Sequence, residues 1–292
     1  MSLWIPFTLM AAFMQSWRNA FQKRLSADVD TLGVTLARFI FAVPMAAIYV
    51  SFLFYYGDTE VPLMEWHFYL IIVLGAISQI FATALMVTLF RLRNFAIGVG
   101  LAKSEAVIAA VLGALFFAAP LSYVAWIGVL IGGIAVWLMS VPKGMRNISW
   151  PTLIIGLASG LCFAFTTLLV REASLMTKLP FLLGAGYVLF WVLLVQTIVM
   201  LVWLMIRKPS TLRALWVRPK LVFVISFCSF VGSIGWFTAM SLETVALVKT
   251  LGQVEIFFTL LISAKWFREK LQRSDKLGLG MILVGAIFVI LA

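Results

Sequence analysis

Histidine, cysteine and acidic residues are scarce in this chain, and each scarcity removes a class of function. There is one histidine, His67, and there are two cysteines, Cys162 and Cys228. Both cysteines lie in apolar runs without a CxxC pair, so neither a disulfide framework nor a His/Cys metal cluster is expected. A phosphate-binding GxxxxGK[ST] is missing, so ATP hydrolysis is not expected. HExxH and GxSxG are missing too, and no catalytic residue, cofactor or metal is expected. The N-terminal stretch MSLWIPFTLMAAFMQSW has no basic residue ahead of its apolar run. It therefore reads as a first membrane helix rather than a cleaved leader.

Charge is scarce as well. Only 11% of the 292 residues are charged, while 64% are hydrophobic, and the mean hydropathy is +1.11. A soluble domain of this size needs a polar shell that this composition cannot supply. The expected class is an all-α membrane protein. The formal charge of +11 does not point to nucleic acid, because the basic residues gather in short loops between apolar segments.

A membrane helix needs about 20 mostly apolar residues. Ten such segments are expected, at 2–22, 33–56, 66–91, 96–118, 122–141, 151–172, 181–206, 218–241, 245–266 and 274–292. Loops after odd-numbered segments carry Lys23 and Arg24, Arg91 and Arg93, Lys143 and Arg146, a run from Arg207 to Lys220, and another from Arg268 to Lys276. Loops after even-numbered segments carry only Arg171 and Lys178. By the positive-inside rule the basic side is cytoplasmic. Both termini are then expected outside, in a bacterial-style inner membrane.

Residues 100–122 align over 250–272 without a gap, at a shift of 150. Glu105 falls on Glu255, Ala96 on Ala246, Thr88 on Thr238 and Gly128 on Gly278. Each half holds five segments, and five is odd, so the second half enters the membrane from the opposite side. Two inverted five-helix repeats are expected, 1–145 and 146–292. Such repeats place a binding site near the bilayer midplane, between the halves.

Three features resemble the EamA type of the drug/metabolite transporter superfamily. The first is Glu255…Glu269 followed by a Gly-rich last helix. The second is Arg38–Phe39 in LGVTLARFIFAVPMAAIYV. The third is coverage of essentially the whole chain. The resemblance implies ten helices and export or exchange of small metabolites. The family usually carries Pro just after the mid-helix position, where this chain has Ala106 and Ile256, so a weaker kink is expected. Ala119 stands where the second half has Glu269, which makes the turn glutamate structural.

Ionisable groups deep in a membrane helix cost about 2.5–3.5 kcal/mol or more, so they face a protein interior or a wet cavity. Glu105 and Glu255 lie about ten residues into their segments, near mid-depth at ~1.5 Å per residue. Each reads as a proton or substrate-ammonium site, as half of a static ion pair, or as a helix-packing hydrogen bond, for example to Ser104, Thr250 or Gln253. Lys103 and Lys249 read as an anion site or as side chains snorkelling to an interface. In the nucleotide-sugar and triose-phosphate branches of the superfamily, lysines of the fourth and ninth helices bind phosphate; the placement here is similar without matching a motif, and both readings stay open. Arg18 and Arg38 are expected to snorkel to the cytoplasmic side. Gln15 and Asn19 share a helix face and, like Gln79, line a cavity or pack against a neighbour. Tyr187, Trp191 and Trp236 are candidate cavity aromatics. The Gly-rich last helix of each half suits close internal packing.

The expected function is secondary transport of a small metabolite, an amino acid or related zwitterion before others, with proton coupling open. The alternatives are an organic anion or phosphate exchanger and, from another class, a lipid flippase or a non-transporting receptor or scaffold. Expected partners are the metabolite, membrane lipid and protons, with a monomer or homodimer and no nucleic acid.

Overall fold

A computed structural model describes residues 2–92, 99, 101–117, 121–140, 150–268 and 273–291. Among them there is no strand. In chain order the helices are α1 (Trp4–Leu25), α2 (Thr31–Ala37), α3 (Ala42–Tyr56), α4 (Trp66–Leu92), α5 (Glu105–Phe116) and α6 (Tyr123–Ser140). There follow α7 (Trp150–Met176), α8 (Phe181–Arg207), α9 (Pro209–Val217), α10 (Pro219–Leu242), α11 (Val245–Leu251), α12 (Glu255–Lys265) and α13 (Arg273–Ile290). Among the described residues six stretches are long and apolar enough to cross a membrane: 31–56, 66–92, 150–176, 181–207, 219–242 and 245–265. Positions 93–98, 118–120, 141–149 and 269–272 lie outside the described residues, and with them Ala96, Ala119 and Glu269.

The helices are sorted opposite to those of a soluble protein. On α4, Leu70, Leu74, Ile77 and Phe81 form an exposed stripe, while Gln79 and Thr83 are buried with Phe68, Ile72 and Ala76. Apolar side chains face outward, as hydrocarbon requires, and the polar ones turn toward neighbouring helices. The main packings join α1 to α10, α4 to α7, α6 to α13, α5 to α7 and α3 to α8, and α5 also meets α11.

Among the described residues three segments are broken. The second segment is interrupted between Ala37 and Ala42, just ahead of Pro44. Proline has no N–H and its ring collides with the carbonyl four residues back, so the helix cannot run straight into it. Ser226 of α10 mends the gap: its hydroxyl donates to Ala37 O at 2.7 Å and accepts from Phe41 N–H at 3.2 Å. The ninth segment passes from α11 through a 3-10 turn at Gly252–Val254 into α12. A Cβ on Gly252 would lie 2.3 Å from the Trp236 ring, so only glycine fits there. The fourth segment turns at Lys103–Ser104 before α5 begins. The kink expected to weaken without Pro is therefore a full interruption in both halves, and Glu105 and Glu255 each open the helix that follows.

The basic stretch RKPSTLRALWVRPK, expected as a plain loop, contains α9. Pro209 starts it at a position where a missing N–H costs nothing, and Thr211 and Leu215 bury one face. Beside it, Asp30 caps α2 by accepting from Gly33 N–H at 2.9 Å, and it accepts from Lys208 Nζ at 2.8 Å. Partial burial alone would raise the Asp30 carboxyl, but the Lys208 and Gly33 hydrogen bonds outweigh it and hold the group below its ordinary value. Asp30→Ala is expected to cost about 1 kcal/mol, the usual worth of an N-cap. The difference from wild type should be full above the unfolded carboxylate value of ~3.9 and vanish as pH falls through the lower folded one. Thermal melts across that pH range measure it.

Backbone meets backbone where α6 crosses α13. A Cβ on Gly128 would lie 2.8 Å from Val289 Cγ2 and 2.9 Å from Gly285 O. Gly280, on the same α13, has nothing within 4 Å of such a Cβ. Gly128→Ala is therefore expected to lower thermal stability in detergent, by the ~1–3 kcal/mol typical of overpacking, while Gly280→Ala leaves it unchanged or higher.

Candidate functional site

The breaks in the fourth and ninth segments bring four ionisable side chains together. Glu255 is fully buried, and Glu105, Lys103 and Lys249 are nearly so. Lys103 is ion-paired with Glu255, and Lys249 Nζ lies 2.9 Å from Glu105 Oε1. The pairing is crosswise: each lysine reaches the glutamate of the other half. Because each glutamate is the first residue of its helix, the positive end of that helix dipole also favours its charge. Lys103 and Lys249 thus do not snorkel, and their charge is met inside the protein.

The glutamates are held unequally. Glu255 also accepts from Gln15 Nε2 at 2.6 Å and Asn19 Nδ2 at 2.9 Å. Glu105 has Lys249 as its one described side-chain partner. Trp236 links the set, donating Nε1–H to Gln15 Oε1 at 2.9 Å. Its ring face lies 4.0 Å from Lys249 Nζ and 5.9 Å from Lys103 Nζ, within reach of cation–π attraction.

Gln15, Asn19, Gln79, Lys103, Glu105, Trp236, Lys249 and Glu255 all line one central cavity. Only ≈ 30 Å³ of it is open to water centres, room for a water or two. A wider cavity of ≈ 260 Å³ lies beyond it, walled by Ala109, Gly113, Leu168, Arg171, Thr244 and Val245 among others. Ala109 and Gly113 follow Glu105 by one and two turns on the same face of α5, and Val245 precedes Lys249 by one turn of α11. The Lys249–Glu105 pair therefore stands between the two spaces. The outer one lies toward the loops that are poor in Lys and Arg.

Two expectations are corrected. Tyr187 and Trp191 do not reach the central cavity. They pack on each other and on Phe54, Phe68 and Tyr69, where ring contacts bury apolar area. Arg18 and Arg38 do not snorkel: they are 2% and 3% exposed. Arg18 donates twice to Asn19 Oδ1, at 3.2 and 2.8 Å. Arg38 donates to Thr83 Oγ1 at 2.7 Å and Ser229 Oγ at 3.2 Å, and it lines the cavity. Gln196, not anticipated, donates to Gln79 Oε1 at 2.6 Å; a lone amide in an apolar run was its only signal.

Removing one member of a buried pair strands the other charge at about 3–5 kcal/mol, while replacing both with apolar groups is often neutral. Glu105→Met should accordingly destabilise the protein strongly in thermal melts, and Lys249→Met with Glu105→Met should recover most of the loss.

A model of the EamA-like transporter family matches the chain twice, over residues 2–141 and 150–291. A solved crystal structure superposes with a TM-score of 0.67 at 14% identity, covering 96% of this chain and 98% of that one; at that identity the likeness is one of fold alone. No curated protein sequence matches significantly. With both family ranges and six long apolar helices in place, the chain is a multi-pass membrane protein that belongs to the EamA-like transporter family.

Proposed function

We propose that the protein is a secondary active transporter of a small metabolite, an amino acid or related zwitterion, working by alternating access between two inverted five-helix repeats, 1–145 and 146–292. The observation that carries this reading is the crosswise pair of ion pairs on one narrow central cavity. A zwitterion brings both charges at once. Its ammonium replaces a lysine at a glutamate, and its carboxylate replaces a glutamate at a lysine. No buried charge is stranded during the exchange, which a monovalent cargo does not achieve. Parting Lys249 from Glu105 opens the cavity toward the outer space.

The repeat reading is supported by the two family ranges and by the helix packing. Counted by segment, first packs on eighth and third on sixth, and these exchange when each segment is replaced by the one five places along. The fourth–ninth, fifth–tenth and second–seventh contacts map onto themselves. Loop charge supports a bacterial-style inner membrane with both termini outside. A second reading, an organic-anion exchanger, is favoured by a count of charge. Among the described residues four buried cations, Arg18, Arg38, Lys103 and Lys249, face two buried carboxylates, Glu105 and Glu255.

Counterflow in proteoliposomes loaded with mixed amino acids tests the proposal. Uptake of trace label is expected with wild type, and Lys249→Ala should weaken it by lowering affinity. With proton coupling, Glu105→Gln and Glu255→Gln should flatten the dependence on pH. Glu255→Gln that folds and transports at the wild-type rate across pH would end that coupling role. Uptake of organic phosphates instead would shift the reading to the anion exchanger, and competition by lipids alone to a flippase.

A further inference from the structure

We infer that Arg38 is the docking point for an additional acid group on the cargo, so that the transported species is an acidic zwitterion: one ammonium, two carboxylates and a net charge of −1. The inference rests on the zwitterion reading above and narrows its substrate class.

The argument is one of charge and place. Lys103 and Lys249 are each matched by a glutamate. Arg18 does not line the cavity. Its guanidinium grips Asn19 Oδ1, and the amide of the same Asn19 donates to Glu255 Oε1, so one neutral side chain ties Arg18 to a carboxylate. Arg38 has no such tie. Its two side-chain partners are the hydroxyls of Thr83 and Ser229, and its guanidinium carbon lies 5.5 Å from the Phe39 ring centroid. Among the described residues no carboxylate comes within 4 Å of it.

A guanidinium holds its proton under all ordinary conditions and carries five N–H donors in a planar fork made for a carboxylate. The two hydroxyls engage two of those donors. A full positive charge 3% exposed, at the wall of a cavity in a membrane protein, is costly until an anion faces it. The remaining cavity charges take up a zwitterion without surplus. Among the charges that line the cavity the surplus is the one on Arg38, and a second carboxylate on the cargo meets it. The break in the second segment is what puts it there, since Arg38 is the first residue past α2.

Glutamate and glutamine differ in this one group and provide the test. Binding of each to the purified full-length protein is read by isothermal titration, and each is used as counterflow substrate in proteoliposomes. Wild type should prefer glutamate to glutamine by on the order of 10- to 100-fold, the range of a charge-assisted hydrogen bond. Arg38→Gln should erase that preference, read as the ratio of the two affinities within the same variant. Arg38→Lys keeps the charge without the fork and should retain part of it. If Arg38→Gln fails to fold, judged by its elution and melt, a reduced preference in folded Arg38→Lys carries the same weight.

The inference is overturned if wild type does not discriminate, or if a folded Arg38→Gln discriminates as well as wild type. It is also overturned if ~100 mM chloride abolishes the preference, since an inorganic anion then fills the subsite in place of the cargo. Discriminating binding without counterflow leaves the subsite standing and removes the transport reading. Counterflow without discrimination does the reverse. Failure of both amino acids to bind or move removes both.

Discussion

A charge inside a bilayer must be answered inside the protein, and the crosswise pairing of Lys103 with Glu255 and of Lys249 with Glu105 is how this chain answers most of its own. Much else follows from it. The fourth and ninth segments must approach closely enough for each lysine to cross to the other half, so α5 and α11 are in contact. The first segment must place amides, not apolar groups, toward Glu255, so α1 carries Gln15 and Asn19 on one face. Trp236 fills the remaining gap with an indole that is apolar in bulk, donates at one edge and attracts ammonium at its face.

The helix breaks belong to the same economy. A continuous helix spends its backbone donors on itself, whereas an interrupted one presents fresh N–H groups and a positive dipole end at the interruption. Glu105 and Glu255 both stand at such starts. Hydrocarbon offers nothing to an exposed backbone group, so each break is buried against a neighbour. Ser226 bridges the one in the second segment, and Trp236 lies over Gly252 in the ninth.

How much of this was legible depended on whether a residue violated its surroundings. Two glutamates in apolar runs at equal positions of two repeats were conspicuous, and so were the lysines near them; the sequence could not say that they would pair with each other across the halves. Arg38 was misread because five residues from a segment start is snorkelling distance on an unbroken helix, and the interruption that buries it is visible only as Pro44 six residues on. Tyr187 and Trp191 were misread because an aromatic side chain carries no mark that separates a cavity wall from a packed cluster. The helix at Pro209–Val217 was hidden by its length and its flanking prolines, and Gln196 by having nothing nearby in sequence to pair with.

The crossing of α6 with α13 has a mechanical consequence. At Gly128 and Gly285 the two backbones are too close to admit even a methyl group. Surfaces that interlock so tightly resist translation along each other but tolerate a change of angle. The crossing also lies beside the break of the ninth segment, since a Cβ on Gly132 would lie 2.2 Å from Gln253 Oε1, two residues before Glu255; a pivot so placed stays next to the break while the helix ends swing.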